Sequence, residues 1–343
     1  LAEADASIFA AMPAVQERVA SDAAALDALL HGARTPFVIR GLARDWPLVQ
    51  AGLVSARAAR AYLLERARPV PFSVALGEPG KDGRLFYSDD MAMNFREARG
   101  KLADIFGGFD ANESRADAPA IYLGSIDVPA HFTTVAAENT LALGQREAIV
   151  SLWIGTSTRI AAHNDFPDNL AVCAAGRRRF TLFPPEQFAN LHLGPIDNTP
   201  AGRAVSMVDF HAPDPDRHPR FTEALGTAQV AVLEPGDALF IPSMWWHHVE
   251  GLAPFNILMN YWWRDTPRWL GQPQDALNHA ILSIRDLPVE DKAIWRALFD
   301  HYVFENSPEV TDHIPEGARG ILDPLDPAAA GRLRSFLLRT LSK

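Results

Sequence analysis

A single cysteine, Cys173, stands in 343 residues. No intrachain disulfide can form, so the fold must rest on its apolar core, and the chain is compatible with a reducing compartment. Cys173 lies in the apolar run Leu170-Ala171-Val172-Cys173-Ala174 with no activating base nearby in sequence, so it reads as core and not as a nucleophile. No run approaches the ~18 consecutive apolar residues of a membrane-crossing helix. The N-terminus shows no charged segment followed by an apolar one. These absences set the expectation of a cytoplasmic protein with no membrane partner. Positive charge is also scarce: 32 Lys and Arg stand against 42 Asp and Glu, a net charge of -10. Phosphate recognition needs a concentrated positive field, so a nucleic-acid partner is not expected. The one basic triplet, Arg177-Arg178-Arg179, reads as a strand with one arginine turned inward and two on a solvated face.

With 48% hydrophobic residues the chain can build one large core. Residues 1–35 read as a helical lead-in, with Ile8, Phe9, Met12 and Val15 at helical spacing and a second helix after Ser21-Asp22. Pro36 to Arg40 reads as a strand, and Asp45-Trp46-Pro47 opens a helix to about Arg68. Short strands are expected at 70–74 and 84–87, and a helix over 93–107 ending at Gly107-Gly108. From 120 to 263 the pattern becomes short β-type runs, at 120–124, 149–155, 170–174, 178–183, 229–233, 238–241 and 256–263, punctuated by Pro, Gly, Asn and Asp. Strands so spaced predict a barrel or double-sheet jelly roll. The stretch from about 184 to 228, rich in proline signals, is an insertion placed to roof a site. Residues 267–343 return to a 3.6-residue apolar period, with helices expected at 276–284, 289–302 and 328–341. The expected fold is therefore mainly β with helical flanks. A main domain spans 1–265, with its core at 120–265, and a helical segment spans 266–343.

His163-Asn164-Asp165 puts two ligand-bearing side chains on one side of a strand or strand end, because side chains alternate with period two. A third ligand must come from another strand. His247 and His248 are the candidates, after the turn Glu234-Pro235-Gly236-Asp237, the run Ala238 to Pro242 and Ser243-Met244-Trp245-Trp246. Only one of two adjacent strand residues can face the interior. His-X-Asp alone is a weak signal. Joined some eighty residues later by a Pro-Gly-Asp turn and Pro-X-X-Trp-Trp-His, it points to a metal held by two histidines and a carboxylate.

The alternation of 178–183 places Arg178 with Phe180 and Leu182 on the apolar face, where a buried cation demands an anion. Alternation also puts Asn256, Leu258, Asn260 and Trp262 on one face of their strand, and a polar residue there needs a partner. Trp245, Trp246, Tyr261, Trp262 and Trp263 can wall a dry pocket, Trp262 foremost. His192, His211 and His218 read as loop histidines and not ligands.

The chain resembles the JmjC-type and cupin-like Fe(II)/2-oxoglutarate oxygenases, particularly those close to the asparaginyl hydroxylase that inhibits hypoxia-inducible factor. The resemblance runs from Phe37-Val38-Ile39-Arg40-Gly41-Leu42 and Asp45-Trp46-Pro47, through 163–185, to Gly236 to Pro242 and Trp245 to Glu250. It implies a double-stranded β-helix (cupin, or jelly roll) and selects His247 as the ligand, leaving His248 facing outward or supporting the site from behind. The implied metal is Fe(II), bound by His163, Asp165 and His247, with 2-oxoglutarate and O₂ as co-substrates. Arg178 falls where the related hydroxylase has a lysine for the distal carboxylate of 2-oxoglutarate. Arginine can form a two-point fork to that group, although its reach differs. Tyr122, Asn169, Asn260 and Trp262 resemble further residues around the co-substrate. Ile160 departs from a threonine that touches it. The implied activity is hydroxylation of a protein, peptide or small molecule. The alternatives are a metal cupin enzyme that uses no oxo-acid, or a non-catalytic metal-binding cupin. The C-terminal helices resemble a dimerisation segment, so a homodimer is expected.

Overall fold

The computed structural model describes residues 8–115 and 117–342. The strands, in chain order, are β1 (Glu17–Arg18), β2 (Phe37–Ile39), β3 (Phe72–Gly77), β4 (Arg84–Leu85), β5 (Phe95–Gly100), β6 (Ile121–Asp127) and β7 (Ile149–Gly155). They continue as β8 (Arg159–Asn164), β9 (Asp168–Ala175), β10 (Arg178–Phe183), β11 (Gln229–Leu233), β12 (Ala238–Ile241), β13 (Trp246–Gly251) and β14 (Asn256–Trp263). Among the described residues these build a nine-stranded sheet, β1-β2-β12-β9-β14-β7-β6-β3-β5, and a five-stranded one, β11-β10-β13-β8-β4. The result is a jelly roll.

Period-two alternation sets the layers. On β9, Leu170, Val172 and Ala174 face one core while Ala171 and Cys173 face another, and on β12 Ala238 and Phe240 part from Leu239 and Ile241 in the same way. The shared interior joins both sheets through Cys173, Leu239 and Leu258 on one side and Phe180, Leu233 and Val249 on the other. Behind the large sheet, helical residues Leu26, Leu48, Val49, Leu63 and Phe106 cover its outer face. Insertion residues Leu191, Val208, Phe210 and Phe221 cover the outer face of the small sheet against Ala162, Phe183 and Trp246. The insertion therefore underpins the small sheet. It also supplies Pro200, Ala201 and Val205 to the lining of the interior cavity.

The turn between β11 and β12 ties distant segments together. Gly236 takes φ +97°, and Asp237 accepts hydrogen bonds from the Gly41 backbone (2.8 Å) and from Arg40 (2.7 Å). Arg40-Gly41 and Pro235-Gly236-Asp237 are thus two halves of one junction, where β2 pairs with β12.

Three expectations change. Residues 8–15 form only a short helical turn at 8–10, followed by a bridge from Ala14 to Val230, and residues 1–7 lie outside those described. The helix expected from 45 to 68 is two, Pro47–Val54 and Ala56–Arg66, broken at Ser55, whose hydroxyl caps the second by accepting from the Ala58 backbone. The expected helix over 93–107 is β5 followed by the helix Leu102–Asn112. Asn94 bonds the backbones of Phe86 and Arg84 and launches β5 along β3. The helix runs through Gly107-Gly108 because Phe106 and Phe109 bury on either side of the pair.

The chain divides into two compact units, Leu1–Arg264 and Asp265–Lys343. The second contains the helices Pro273–Ser283, Val289–Phe299 and Pro327–Leu341. Leu282, Ile294, Phe304 and Leu338 are all more than half exposed, and its buried hydrophobic residues among those described are Val310, Ala329 and Ala330. Among the described residues no helix is long and apolar enough to cross a membrane.

Candidate metal centre

β8 and β13 run antiparallel with His163 directly opposite His247. Their rings lie 4.4 Å apart between centroids. Asp165 follows β8 on the side of His163, and its Oδ2 stands 3.5 Å from Nε2 of His247. Ligand atoms of all three lie within 4.8 Å of one another. Nδ1 of His163 donates to the Ala161 carbonyl (2.9 Å) and Nδ1 of His247 to the Trp245 carbonyl (3.1 Å), which leaves both Nε2 lone pairs for a metal. Burial, and then the neighbouring His247, pushes His163 down to about 4, so its imidazole is neutral at physiological pH. Burial alone would raise Asp165. The adjacent His247 ring, with His163 and Arg203 behind it, outweighs burial and holds the carboxyl down at about 2.

The carboxylate-bearing loop is stapled to the segment that leads into β13. The Met244 backbone N–H donates to the Asp165 carbonyl (2.9 Å), the Ser243 hydroxyl to the Phe166 carbonyl (2.7 Å) and the Ser243 N–H to Asp168 (2.8 Å). Met244 takes φ +68°, an uncommon conformation for a side-chain-bearing residue, to aim its N–H at that loop. Arg203 and Arg264 stand over the Phe166 ring at 5.1 and 5.0 Å. Sequence reasoning missed Ser243, Met244 and Arg203, because their contacts are mostly backbone or ring contacts across the fold.

His247 faces the interior and His248 the opposite side, with a bulge after His247. That opposite side is not solvent. His248 is buried, its ring stacks on Phe210 at 4.5 Å, and burial pushes it down to about 4. The expectation that Arg177 and Arg179 share a solvated face holds for Arg177 and fails for Arg179. Arg179 forks to the buried Glu250 at 2.6 and 2.9 Å and lies 3.6 Å over Phe9. His211 also reaches Glu250, and His192 meets His218 ring to ring; neither group joins the metal set among the described residues.

A cavity of about 380 Å³ contains the triad together with Tyr122, Trp153, Ile160, Asn169, Arg178, Asn260 and Trp262. Arg178 is 1% exposed, and its Nη2 donates to the Trp153 carbonyl at 3.1 Å. Its Nε has no partner, and among the described residues no carboxylate pairs with it. Burial lowers its pKa, the mark of a cation held without a counter-charge. The turn ahead of it is fixed by Gly176 at φ +71°, where a Cβ would meet the Phe255 carbonyl at 2.4 Å. Burial pushes Tyr122 up to about 12 against the pull of Arg178, so its hydroxyl keeps its proton. Asn260 donates to Asn169 (2.8 Å), while Asn260 Oδ1, Trp153 Nε1 and Trp262 Nε1 are buried without partners. Of the five aromatic residues expected around the pocket only Trp262 lines it; Tyr261 and Trp263 pack behind the large sheet, Trp246 under the insertion and Trp245 in the shared interior.

The donors suit a divalent first-row metal: two imidazoles and one carboxylate form a facial set with open positions. The orphaned Arg178 suits a carboxylate-bearing ligand beside it.

Fold and site together define a cupin. Residues 23–268 match the cupin-like domain family, and the chain belongs to it. Among curated proteins it is 31% identical over 134 residues to HSPB1-associated protein 1 of Rattus norvegicus, covering 38% of this chain and 27% of that protein. It is 34% identical over 105 residues to tRNA wybutosine-synthesizing protein 5 of Danio rerio, covering 31% and 29%. It is 29% identical over 118 residues to Lysine-specific demethylase 8 of Xenopus tropicalis, covering 34% and 25%. The chain thus spans less than a third of the length of each of these relatives.

Proposed function

We propose that the protein is an Fe(II)- and 2-oxoglutarate-dependent oxygenase that hydroxylates a C–H bond of a second substrate, a protein, peptide or small molecule. The observation that carries this reading is the buried, unpaired Arg178 in the same cavity as a two-histidine, one-carboxylate set. His163 and His247 would hold the iron through Nε2 and Asp165 through a carboxylate oxygen. When bound, iron with 2-oxoglutarate supplies O₂ activation coupled to release of succinate and CO₂. Arg178 meets the distal carboxylate of the oxo-acid as its counter-ion, and the protonated Tyr122 hydroxyl can donate to the same group. The Asn169–Asn260 pair retains one free acceptor and the two indole N–H groups are free donors, enough to orient a polar ligand. Trp153 and Trp262, edge to face at 5.7 Å, exclude water from that end. Ile160 lines the cavity without a hydrogen bond to offer, so the arginine fork carries more of the recognition.

Anaerobic Fe(II) loading followed by 2-oxoglutarate should produce a visible charge-transfer band, absent in Asp165→Ala and weakened in Arg178→Ala. Iron bound without a band or succinate formation would instead support an oxo-acid-independent cupin or a non-catalytic metal protein. We also propose that the C-terminal unit forms a homodimer, because its helices leave Leu282, Ile294, Phe304 and Leu338 exposed. Light scattering should find the full chain dimeric and a chain ending at Asp265 monomeric; equal oligomeric states would refute it.

A further inference from the structure

Most arginines around the small sheet are ion-paired: Arg84 and Arg159 reach Asp209, Arg177 reaches Glu234 and Arg179 reaches Glu250. Two near the candidate metal are not. Arg178 is taken by the oxo-acid in the reading above, which leaves Arg203. Its Nη2 donates to Asn164 Oδ1 (3.3 Å) and its Cζ lies over the Phe166 ring at 5.1 Å, so it grips the residues on either side of Asp165. Among the described residues no carboxylate pairs with it, and its Nε and Nη1 make no hydrogen bond. Neither atom is shut away from solvent: the side chain is half-buried, and Asp165 beside it is 19% exposed. Arg203 stands between Ala201 and Val205, which line the cavity, but outside the lining itself, and so at its rim on the metal side. Glu97, the remaining charged group of the lining, belongs to β5 at the margin of the large sheet, in register with Ala75 and through it with Tyr122, and forms no ion pair with Arg203.

A guanidinium held at one end by an amide oxygen and laid over a ring has lost most of its rotamer freedom, and its remaining N–H edge is a ready fork for a carboxylate. Charge runs the same way. A divalent metal and Arg178 offset Asp165 and the two carboxylates of the oxo-acid, so the loaded site leaves Arg203 without a counter-charge. The net charge of -10 disfavours polyanions, which favours a single carboxylate over a phosphate backbone.

We propose that Arg203 anchors a carboxylate of the second substrate beside the metal. The assignment rests on the metal and oxo-acid reading above. It makes the insertion a selector: an acidic substrate gains a charge-assisted contact at the rim, and its neutral counterpart does not.

The test loads the full chain with redox-inert Mn(II) and saturating 2-oxoglutarate and reads the paramagnetic relaxation of small probes by proton NMR. The N-methylamides of Nα-acetyl-glutamate and Nα-acetyl-glutamine compare a side-chain carboxylate with its neutral amide. Nα-acetyl-norleucine and its N-methylamide make the same comparison at a terminal carboxylate. At least one acid should relax at a concentration about fivefold or more below that of its neutral partner, and the pair that responds tells a side-chain carboxylate from a terminal one. Arg203→Gln should abolish that preference. Arg203→Lys keeps the charge without the fork and should retain part of it, a graded result that misfolding does not produce. Acids that relax no better than their neutral partners, or equally well in Arg203→Gln, would overturn the proposal, as would relaxation that fades as 2-oxoglutarate rises, which places the acid against Arg178. Water-proton relaxation, with Asp165→Ala as control, separately reports whether Mn(II) binds the triad. Its absence in the wild type would overturn the metal reading and this proposal with it, whereas bound Mn(II) with no preference for acids would overturn the assignment of Arg203 alone.

Discussion

Replacing Arg178 with methionine is expected to move two properties in opposite directions. The guanidinium is 1% exposed, keeps one hydrogen bond to the Trp153 carbonyl, and has an unpartnered Nε. Exchanging buried charge for apolar volume typically gains ~1–4 kcal/mol, and loss of the one hydrogen bond returns ~1 kcal/mol. A net stabilisation of roughly 0–3 kcal/mol would raise the melting temperature of the ligand-free protein by up to about 12 °C at the ~2–4 °C per kcal/mol of a domain this size. Ligand binding should fail. Removing one partner of a buried charged hydrogen-bonded pair costs ~2–5 kcal/mol, or about thirtyfold to several thousandfold in affinity for 2-oxoglutarate. Differential scanning fluorimetry with Mn(II), with and without 2-oxoglutarate, reads both. At about 100-fold excess over Kd the wild type should gain ~2.7 kcal/mol, and the variant almost nothing. A variant less stable than wild type without ligand would refute the claim of an uncompensated cation. A retained 2-oxoglutarate shift would refute the role assigned to it.

Ser243→Ala removes the hydroxyl bond to the Phe166 carbonyl, and metal affinity should fall about 10- to 100-fold in a Co(II) titration; unchanged affinity would show that the loop holds Asp165 unaided. Burial acts to raise Glu250, but hydrogen bonds from His211 and Arg179 prevail and hold it near about 2, below its ordinary 4.5. Its contribution is therefore complete above about pH 4.5 and is lost as pH falls toward 2, on the order of 2–3 kcal/mol. Glu250→Gln should flatten that acid limb in urea denaturation, whereas parallel profiles would remove the ionic anchor from the account. Gly176→Ala sets a Cβ against the Phe255 carbonyl at φ +71° and should cost ~2 kcal/mol or more, read as a lower urea midpoint.

Much of the jelly roll is legible because its central strands carry unbroken β-branched and aromatic runs between turn residues, as 256–263 does. β8 is not legible. Arg159-Ile160-Ala161-Ala162-His163-Asn164 is short of such residues, and its place is set by pairing with β13. β5 resembles a helix for the same reason: Arg, Glu and Ala dominate it, and pairing with β3 overrides their propensity. The His-X-Asp spacing and the inward turn of Arg178 follow from alternation alone. The choice between His247 and His248 does not, since alternation states that one faces inward without saying which. What stayed hidden depends on contacts between distant segments. Arg179 meets Glu250 and Phe9, Met244 meets Asp165, and Glu97 reaches the cavity only through the register of three strands.

β13 is used on both sides. His247 faces the candidate metal, while His248 and Glu250 on the reverse hold Phe210 and His211 of the insertion. Another part of that insertion, Pro200, Ala201 and Val205, lines the cavity. Anchor and lining are thus separate stretches of one segment, about 208–211 and about 200–205. The lining stretch can diverge, lengthen or be exchanged between relatives while the anchor holds the remainder in place. Substrate range can change in this architecture by replacing a cassette around Arg203, with the triad, Arg178 and the sheets left untouched.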